Sequence, residues 1–420
     1  MDLFAWDKSI YPTVGVAVSG GVDSMCLLHA FVSMGQNVVA LHVEHGIRGE
    51  DSLADMRLVE DYCRTLGVPC LSTRVDAPAL AEQRRMGLET AARTLRYRFF
   101  RQVLDEGKAD VVATAHHLDD QAETVLMHLL RGSGLQGLTG IRDREGYVRP
   151  LLGVSREDIV RYAMEHGVPY SEDATNLDAD YTRNWLRHDL LPQVKTRYPG
   201  YRQALSRLSK AAKEQVDLLN EIAIRPNREL LGMSLPLDAL YQPSVLAKWS
   251  IRLSIKPLSG AIDLEDKHYQ AILALKDKPN GTGFDLAQKV RCKKEERAVW
   301  FWKVVPQVDI PFAEGTHVFG RYRIVVRPHL DSDPYYFDLD KIPQGARIRT
   351  RAAGDYIRKF GGGTKSLGDY YTDRKLGYPM REMPVVAIDD QVLICPADIS
   401  KTVATDRNTT RVYTMIWEEI

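Results

Sequence analysis

The chain has 420 residues, 44% of them hydrophobic and 27% charged. That balance is globular, argues against a mainly disordered chain, and suits two or three domains. Lysine plus arginine and aspartate plus glutamate each count 56, so the net charge is zero and any nucleic-acid surface must be a local patch. No apolar run approaches the roughly 18 residues of a membrane helix, and the first residues carry an acid where a leader peptide needs bases. Five scattered cysteines (Cys26, Cys63, Cys70, Cys292, Cys395) contain no C-x-x-C, which gives no support to a disulfide framework, a zinc ribbon or a cysteine-held cluster. The expected location is the cytoplasm.

Val14 to Val18 is a short, β-branched run ended by Ser19-Gly20-Gly21, the pattern of a buried parallel strand. Met25, Leu27, Leu28, Phe31 and Val32 then follow a helical period. Val38 to Val43 predicts a second strand, and Asp51 to Leu66 a helix stopped by Gly67-Val68-Pro69. Leu71 to Val75 predicts a third strand, Glu89 to Glu106 a basic amphipathic helix, Asp110 to Ala115 a fourth strand, and Asp119 to Leu130 a helix. This βαβα order predicts an α/β fold with a doubly wound parallel sheet. Residues 201 to 224 predict a long helix, and 237 to 275 mostly helix. From about residue 284 the pattern turns β-like, with Val299 to Trp302 and Tyr322 to Val326 as strands. The tail is a small α+β region with Gly-punctuated strands.

The sharpest motif is Ser19-Gly20-Gly21-Val22-Asp23-Ser24, between the first strand and the first helix. Adjacent glycines let the backbone turn with its amides bare, and the helix that follows points its positive end at the same place. Ser19 and Ser24 add hydroxyls, so the loop reads as an anion cradle. It has neither the lysine of a Walker loop nor the G-x-G-x-x-G of a dinucleotide site. Asp23 would repel a phosphate unless a Mg²⁺ ion lay between them, and oxygen ligands suit that ion. The plain alternative is a glycine-rich turn with a helix cap.

A second constellation, His116-His117-Leu118-Asp119-Asp120-Gln121-Ala122-Glu123-Thr124, follows the fourth strand, where open α/β sheets bind ligands. Asp120, Glu123 and Thr124 stand at i, i+3 and i+4 and share one helix face. Two carboxylates there can hold a cation, an amine or a proton. Their alternative role is a solvated first helical turn, where acids suit the dipole. Without cysteine or a third spaced histidine, zinc is disfavoured. In the basic helix, Arg93, Arg96 and Tyr97 share the same spacing. Guanidinium forks suit phosphate oxygens, so Arg93 and Arg96 are expected to bind phosphate or a transition state.

The hexapeptide resembles the PP-loop of the ATP pyrophosphatase superfamily. That resemblance implies splitting of ATP between its α and β phosphates and adenylation of a substrate oxygen. Further segments narrow it: His42-Val43-Glu44-His45-Gly46-Ile47-Arg48, Arg131 to Leu138, Arg149-Pro150-Leu151-Leu152, Glu172-Asp173-Ala174-Thr175-Asn176 and Tyr181 to His188. Together with Ala353-Gly354-Asp355 and Gly363 to Tyr371, they make the chain similar to the tRNA(Ile)-lysidine synthetase family, densely over residues 14 to 195 and more loosely in the middle. Asp369-Tyr370 stands where many relatives have a Lys-Asp or Lys-Lys start.

The resemblance implies attachment of free L-lysine to C2 of the wobble cytidine in an isoleucine tRNA with a CAU anticodon. ATP first adenylates the C2 oxygen, and the lysine ε-amine then expels AMP. It implies ATP bound by Ser19, Gly20, Gly21, Val22, Asp23, Ser24 and His45. Mg²⁺ would be held by Asp23 and Asp120, and catalysis would involve Asp23, Arg93, Arg96, Asp120 and Glu123. Which carboxylate binds lysine and which takes its proton stays open, as does oligomeric state, a homodimer included. The implied domains are a PP-loop catalytic domain over 1–215, a mostly helical tRNA-binding domain over 216–310 and a β-rich tRNA-binding domain over 311–420.

Two basic patches suit RNA phosphates. Residues 181 to 213 hold eight lysines and arginines (183, 187, 195, 197, 202, 207, 210, 213) against Asp189, a local +7. Residues 345 to 381 hold nine against three acids, a local +6. Tyr370 and Tyr371 either stack on unpaired bases or pack in the core; Trp300, Phe301 and Trp302 read as strand core. The competing functions are another PP-loop enzyme such as a tRNA thiolase, disfavoured by the cysteine map, and a nucleotide- or tRNA-binding module without turnover.

Overall fold

A computed structural model describes residues 3–47, 50–171, 181–259, 264–396 and 398–420. Arg48 and the segment Glu172-Asp173-Ala174-Thr175-Asn176 lie outside them. Contacts divide the chain into two units, Met1–Leu218 and Leu219–Ile420.

The first unit begins β1 (Thr13–Ala17), α1 (Val22–Ser33), β2 (Asn37–Glu44), α2 (Glu50–Leu66) and β3 (Cys70–Arg74). It continues α3 (Ala77–Arg84), α4 (Leu88–Asp105), β4 (Val111–Ala113), α5 (Leu118–Leu130), α6 (Leu135–Leu138) and β5 (Tyr147–Val148). After α7 (Arg156–His166) come α8 (Tyr181–Trp185), a π-helical turn (Leu186–Leu190), α9 (Leu191–Arg197) and α10 (Tyr201–Ile222). The five strands form one parallel sheet in the order β3-β2-β1-β4-β5.

Alternation along the strands sorts the core into two layers. Val14, Val16, Val38 and Ala40 pack with Met25, Leu28 and Phe31 of α1, Val59 of α2 and Ile159 of α7. Val39, Leu41 and Val112 face the other way, onto Phe100 and Val103 of α4. Helices thus cover both faces, and the strands are apolar on both sides, as a parallel sheet requires. Burial of each fully enclosed Leu, Met or Phe stabilises the unit by about 1.5–3 kcal/mol. Gly15 interrupts the valines of β1 because a Cβ there would sit 3.0 Å from Leu41 Cδ1 and 3.2 Å from Ala109 Cβ.

The chain leaves β1 toward β2 and β3, then returns to add β4 on the opposite side of β1. Strand order therefore reverses between β1 and β4, and ligands of such sheets bind at the carboxyl ends beside that reversal. α10 is tied to α5 by buried polar bonds: Gln121 Nε2 donates to Ser209 Oγ (2.6 Å), and Ser209 Oγ donates to the Thr139 carbonyl (2.8 Å).

The second unit opens with β6 (Asn227–Glu229), β7 (Gly232–Pro236), α11 (Ser244–Ser259), α12 (Asp266–Leu273), β8 (Gly283–Leu286), β9 (Val290–Lys294) and β10 (Ala298–Lys303). Helix is indeed the main content of 237 to 275, but the segment 216–310 as a whole is not mostly helical. It carries a five-stranded antiparallel sheet, β6-β7-β10-β9-β8, against which α11 and α12 bury Ile251, Ile255 and Ile272. The four strands before β10 have only three to five residues each, too few for a period-2 pattern to stand out from flanking helix.

The tail from residue 309 builds a seven-stranded and a four-stranded sheet around Tyr322, Ile324, Ile348, Val386, Ile394 and Trp417. Glu382 joins this region to the preceding sheet, accepting from Arg291 Nη1 and Trp302 Nε1, each at 3.0 Å. Among the described residues, no helix is long and apolar enough to cross a membrane.

Candidate active site

The loop after β1 is built as its sequence demands. Gly20 has φ +95°, a conformation that L side chains rarely adopt. Ser24 Oγ donates to the Gly21 carbonyl (3.0 Å) and accepts from the Ser19 amide (3.0 Å), so this buried hydroxyl staples the loop and is not free for a ligand. Ser19 Oγ, on an exposed residue, stands 3.1 Å from it. Val22 is in the core under the loop, so it can serve a ligand only through its amide. α1 begins at Gly21 with no side-chain cap; the Ser24 amide turns back to the Gly21 carbonyl (3.1 Å), and the Val22 and Asp23 amides are left to whatever enters the crevice.

Asp23 lies in that first turn. Its Oδ1 is buried without a hydrogen-bond partner, and burial raises its pKa above the usual carboxylate range despite the neighbouring His117. His117, buried at the end of the loop after β4, caps α5: its Nδ1 accepts from the Asp120 amide (3.4 Å), while Asp120 Oδ2 accepts from the His117 amide (3.1 Å). The far side of the same ring, Nε2, lies 3.7 Å from Asp23 Oδ2 and 3.5 Å from Asp120 Oδ2. Asp23 and Asp120, one from each side of the strand reversal, therefore meet on His117. Glu123, one turn further along α5, is buried and clasped by Arg187 Nε (2.7 Å) and Nη2 (2.9 Å), with Arg183 Nε at 3.3 Å. Arg187 Nη2 also reaches Asp120 Oδ1 (3.3 Å), and Arg183 Nη2 reaches Thr124 Oγ1 (3.4 Å). The expected common face of Asp120, Glu123 and Thr124 is the face these arginines cover.

A family profile described as the PP-loop domain matches residues 6–194, which include the loop, the acids and both arginines. The tRNA(Ile)-lysidine synthase of Parabacteroides distasonis is 32% identical, over 86% of this chain and 84% of that protein. The enzyme of the same name from Geobacillus kaustophilus is 31% identical, over 91% and 89%, and that from Bacillus subtilis 29% identical, over 94% and 91%. This chain belongs to the tRNA(Ile)-lysidine synthase family. It is a ligase with the ATP-using PP-loop of that family.

Within this lysidine synthase family member, other expected residues take different places. Arg96 Nη2 lies 3.4 Å from Nε2 of His45, just beyond the carboxyl end of β2, and Arg93 stacks over the Tyr97 ring at 4.9 Å. Among the described residues, no ion pair joins either arginine to Asp23, Asp120 or Glu123. Burial, with Arg96 beside it, lowers the His45 pKa to about 4. His116 is likewise lowered to about 4, chiefly by burial, which Asp120 opposes and Arg149, Arg93 and Arg183 reinforce. Both rings are neutral near pH 7.

Three residues of this acid cluster had no role of their own in the sequence reading. His117 reads as half of a histidine pair, and only the fold turns it toward Asp23. Arg183 and Arg187 stand four apart in Tyr181 to His188, a spacing that places them on one helical face. Their charges suggested RNA contact, whereas they serve buried Glu123. Lys195 pairs with Glu157 (2.6 Å) and Arg202 with Asp119 (2.5 Å), so half of that basic patch is engaged within the fold. Arg197, Arg207, Lys210 and Lys213 stay exposed. In the tail patch Arg349 is paired with buried Asp355 (2.6 Å). Tyr370 and Tyr371 are core residues, Tyr370 donating to Asp398 Oδ2 (2.8 Å), which leaves neither ring as a stacking platform.

Proposed function

We propose that this chain adenylates the C2 oxygen of the wobble cytidine in an isoleucine tRNA with a CAU anticodon, then exchanges AMP for the ε-amine of free L-lysine. AMP and pyrophosphate leave, and lysidine is formed. The observation that carries this reading is the meeting of Asp23 and Asp120 on His117 beside the uncapped N-terminus of α1. Bare amides there suit the charge of a nucleotide's phosphate tail.

The acids also fit Mg²⁺. That ion takes one or two carboxylates together with substrate phosphates and water, and Asp23 Oδ1 is a buried oxygen with no partner. When bound, Mg²⁺ supplies positive charge against the phosphate oxygens. Asp23 and Asp120 are the residues that would hold it.

The amine needs separate handling. Roughly one lysine side chain in a few thousand is neutral at pH 7, so a carboxylate within reach must take a proton as the nitrogen attacks C2. Glu123 is occupied by Arg187 and Arg183, and its role in this reading is to hold those guanidinium groups beside the reacting centre. Asp120 accepts from the His117 amide at 3.1 Å but has its charged neighbours no closer than 3.3 Å, against 2.7 Å for Glu123, and is the better acceptor. Orientation of two substrates on one nucleotide lowers the barrier by up to about 7–11 kcal/mol. The same reading gives residues 1–215 the chemistry, gives 216–310 and 311–420 the holding of tRNA, and places the protein in the cytoplasm.

The test is incubation with labelled lysine, ATP and total bacterial tRNA, followed by nucleoside analysis. Labelled lysidine is expected, with AMP release and sustained pyrophosphate release that need all three components. Turnover to ADP alone, or pyrophosphate release driven by a sulfide donor and not by lysine, would overturn the proposal; the latter result would mark a thiolase.

A further inference from the structure

The cysteines are scattered in the sequence, but the fold brings two of them together on the seam between α2 and β3. Cys63 lies in the last turn of α2 and Cys70 opens β3, with Gly67-Val68-Pro69 turning the chain between them. Strand alternation places Cys70 and Ser72 on the same face of the sheet, the face that α2 covers. The i, i+3 spacing places Glu60 and Cys63 on one face of α2. The two faces are pinned by a hydrogen bond from Ser72 Oγ to Glu60 Oε1 (2.7 Å). Beside that bond, the thiols of Cys63 and Cys70 hydrogen-bond each other, and both residues pack into the same core layer.

The two thiols are not equivalent. β3 is an edge strand and Cys70 is partly exposed on it, whereas Cys63 is buried behind it at 1% exposure. Solvent therefore meets Cys70 first. Cys63 keeps its proton: its contact with Cys70 and its burial both push its pKa up, and the carboxyl end of a helix disfavours a thiolate. Ser72 Oγ stands 3.5 Å from Cys70 Sγ, but its one proton is committed to Glu60. Cys63 is thus the donor that favours a thiolate at Cys70, and it pulls the Cys70 pKa down against the burial that opposes it. An accessible thiolate with a second thiol in contact is the arrangement of a redox-sensitive pair.

We propose that Cys70 and Cys63 form a thiol-oxidation site, with Cys70 the nucleophile and Cys63 the resolving thiol, which a hydroperoxide converts to an intramolecular disulfide. The Cys70 sulfur attacks one peroxide oxygen, the O–O bond breaks, and the departing oxygen takes a proton and leaves as water. Cys70 is then a sulfenic acid. The Cys63 sulfur attacks the Cys70 sulfur and expels its hydroxyl, which leaves as a second water with the Cys63 proton. Two thiols and one hydrogen peroxide give one disulfide and two waters; sulfur is oxidised and peroxide oxygen reduced. A small dithiol reverses the step by exchange. Four residues of β3, about 13 Å, separate Cys70 from the carboxyl end of the strand at Arg74, so the site stands apart from the reacting groups and does not depend on the reaction proposed above.

The experiment treats reduced full-length protein with a few equivalents of hydrogen peroxide, alkylates the remaining thiols after denaturation, and maps the peptides by mass. Tryptic cleavage after Arg64 separates the two cysteines, so a disulfide appears as a joined peptide pair. The expected result is a Cys63–Cys70 linkage that leaves three of the five cysteines alkylatable, with all five restored by dithiothreitol. In Cys63→Ser the oxidation should stop at a sulfenic acid on Cys70, trapped by dimedone. In Cys70→Ala, a change at the partly exposed member, thiol loss at Cys63 should slow by at least about 10-fold, as thiolate character and access together set the rate.

Peroxide treatment that yields no joined pair, a dimedone adduct on Cys63 in place of Cys70, or undiminished oxidation of Cys63 in Cys70→Ala would overturn the assignment. None of these outcomes bears on lysidine formation, whose failure would in turn leave the thiol pair standing.

Discussion

The Glu123 carboxylate lies across the Arg187 guanidinium, with Oε1 2.7 Å from Nε and Oε2 2.9 Å from Nη2. A two-pronged contact of this kind fixes both partners in orientation, and the Glu123 side chain is only 3% exposed. Its enclosure is therefore offset by the guanidinium groups around it. Arg187→Ala should lower stability by about 2–3 kcal/mol, less than the roughly 3–5 of an orphaned buried charge because Arg183 remains. Urea unfolding measures this. Arg187→Ala and Glu123→Ala should each abolish lysine incorporation while the protein stays folded at room temperature. Near-normal incorporation by either variant would remove the pair from the site.

Asp23 illustrates function set against stability. Its folded pKa is raised, so the contribution it makes is present at low pH and is lost as pH rises through that pKa. At neutral pH the half-buried carboxylate, with Oδ1 enclosed and unpartnered, is a cost to the fold. Asp23→Asn keeps the shape and removes the charge. We expect an equal or higher Tm at pH 7.5 together with loss of lysidine formation. A clear drop in Tm would show that Asp23 is a structural cap of α1 instead.

Much of this was legible in the sequence, for identifiable reasons. β1, β2 and their helices carry long apolar runs whose period is set by burial on both faces, so Val14 to Val18 and Val38 to Val43 could be placed within a residue or two. Gly20 stood out because adjacent glycines let the backbone turn with its amides bare, and Asp23 because a carboxylate repels a phosphate unless a cation lies between them. His117, Arg183 and Arg187 were less visible because their meaning depends on partners 60 or more residues away, brought near by strand order alone. α7 carries clear local signals, Ser155 accepting from the Asp158 amide and Gly167 at φ +61°, yet its place beside the acids comes from packing of Ile159 on the sheet. Short strands such as β6 and β8 have too few residues for any period to show.

Two half-buried histidines predict the response to acid. His45 and His116 are lowered to about 4 in the folded chain, against about 6.5 in an unfolded one. Between those values the unfolded state takes up protons that the folded state refuses. Stability should therefore fall as pH drops from about 6.5 to about 4, by at most about 1.4 kcal/mol per pH unit for each ring, less where solvent reaches it. His116→Gln can keep a polar contact with Thr114 Oγ1, now 2.9 Å from Nδ1, while removing one titration. Its urea midpoint should change less between pH 7.5 and 5.0 than that of the unaltered chain. An equally steep change would mean that His116 titrates normally.

The two glycines of the loop should fail in different ways. Gly20 has φ +95°, and a Cβ placed there would stand 3.5 Å from Asp55 Cβ, an ordinary contact, so only the backbone opposes a side chain. Gly20→Ala should cost at least about 1–2 kcal/mol of stability and lower Tm. Gly21 has φ −74° and ψ 159°, an extended conformation open to any residue, and an added Cβ would be 3.7 Å from Ser19 Oγ. Gly21→Ala should therefore fold normally. Its methyl group, however, would sit at the uncapped start of α1, where the nucleotide's phosphates are proposed to bind. A displacement of about 1 Å there should raise KM for ATP or lower kcat by on the order of 100-fold. Thermal unfolding and ATP-dependent pyrophosphate release, measured on both variants, separate the two effects. If Gly21→Ala releases pyrophosphate with unchanged kinetics, the phosphates lie elsewhere and the loop is a structural turn.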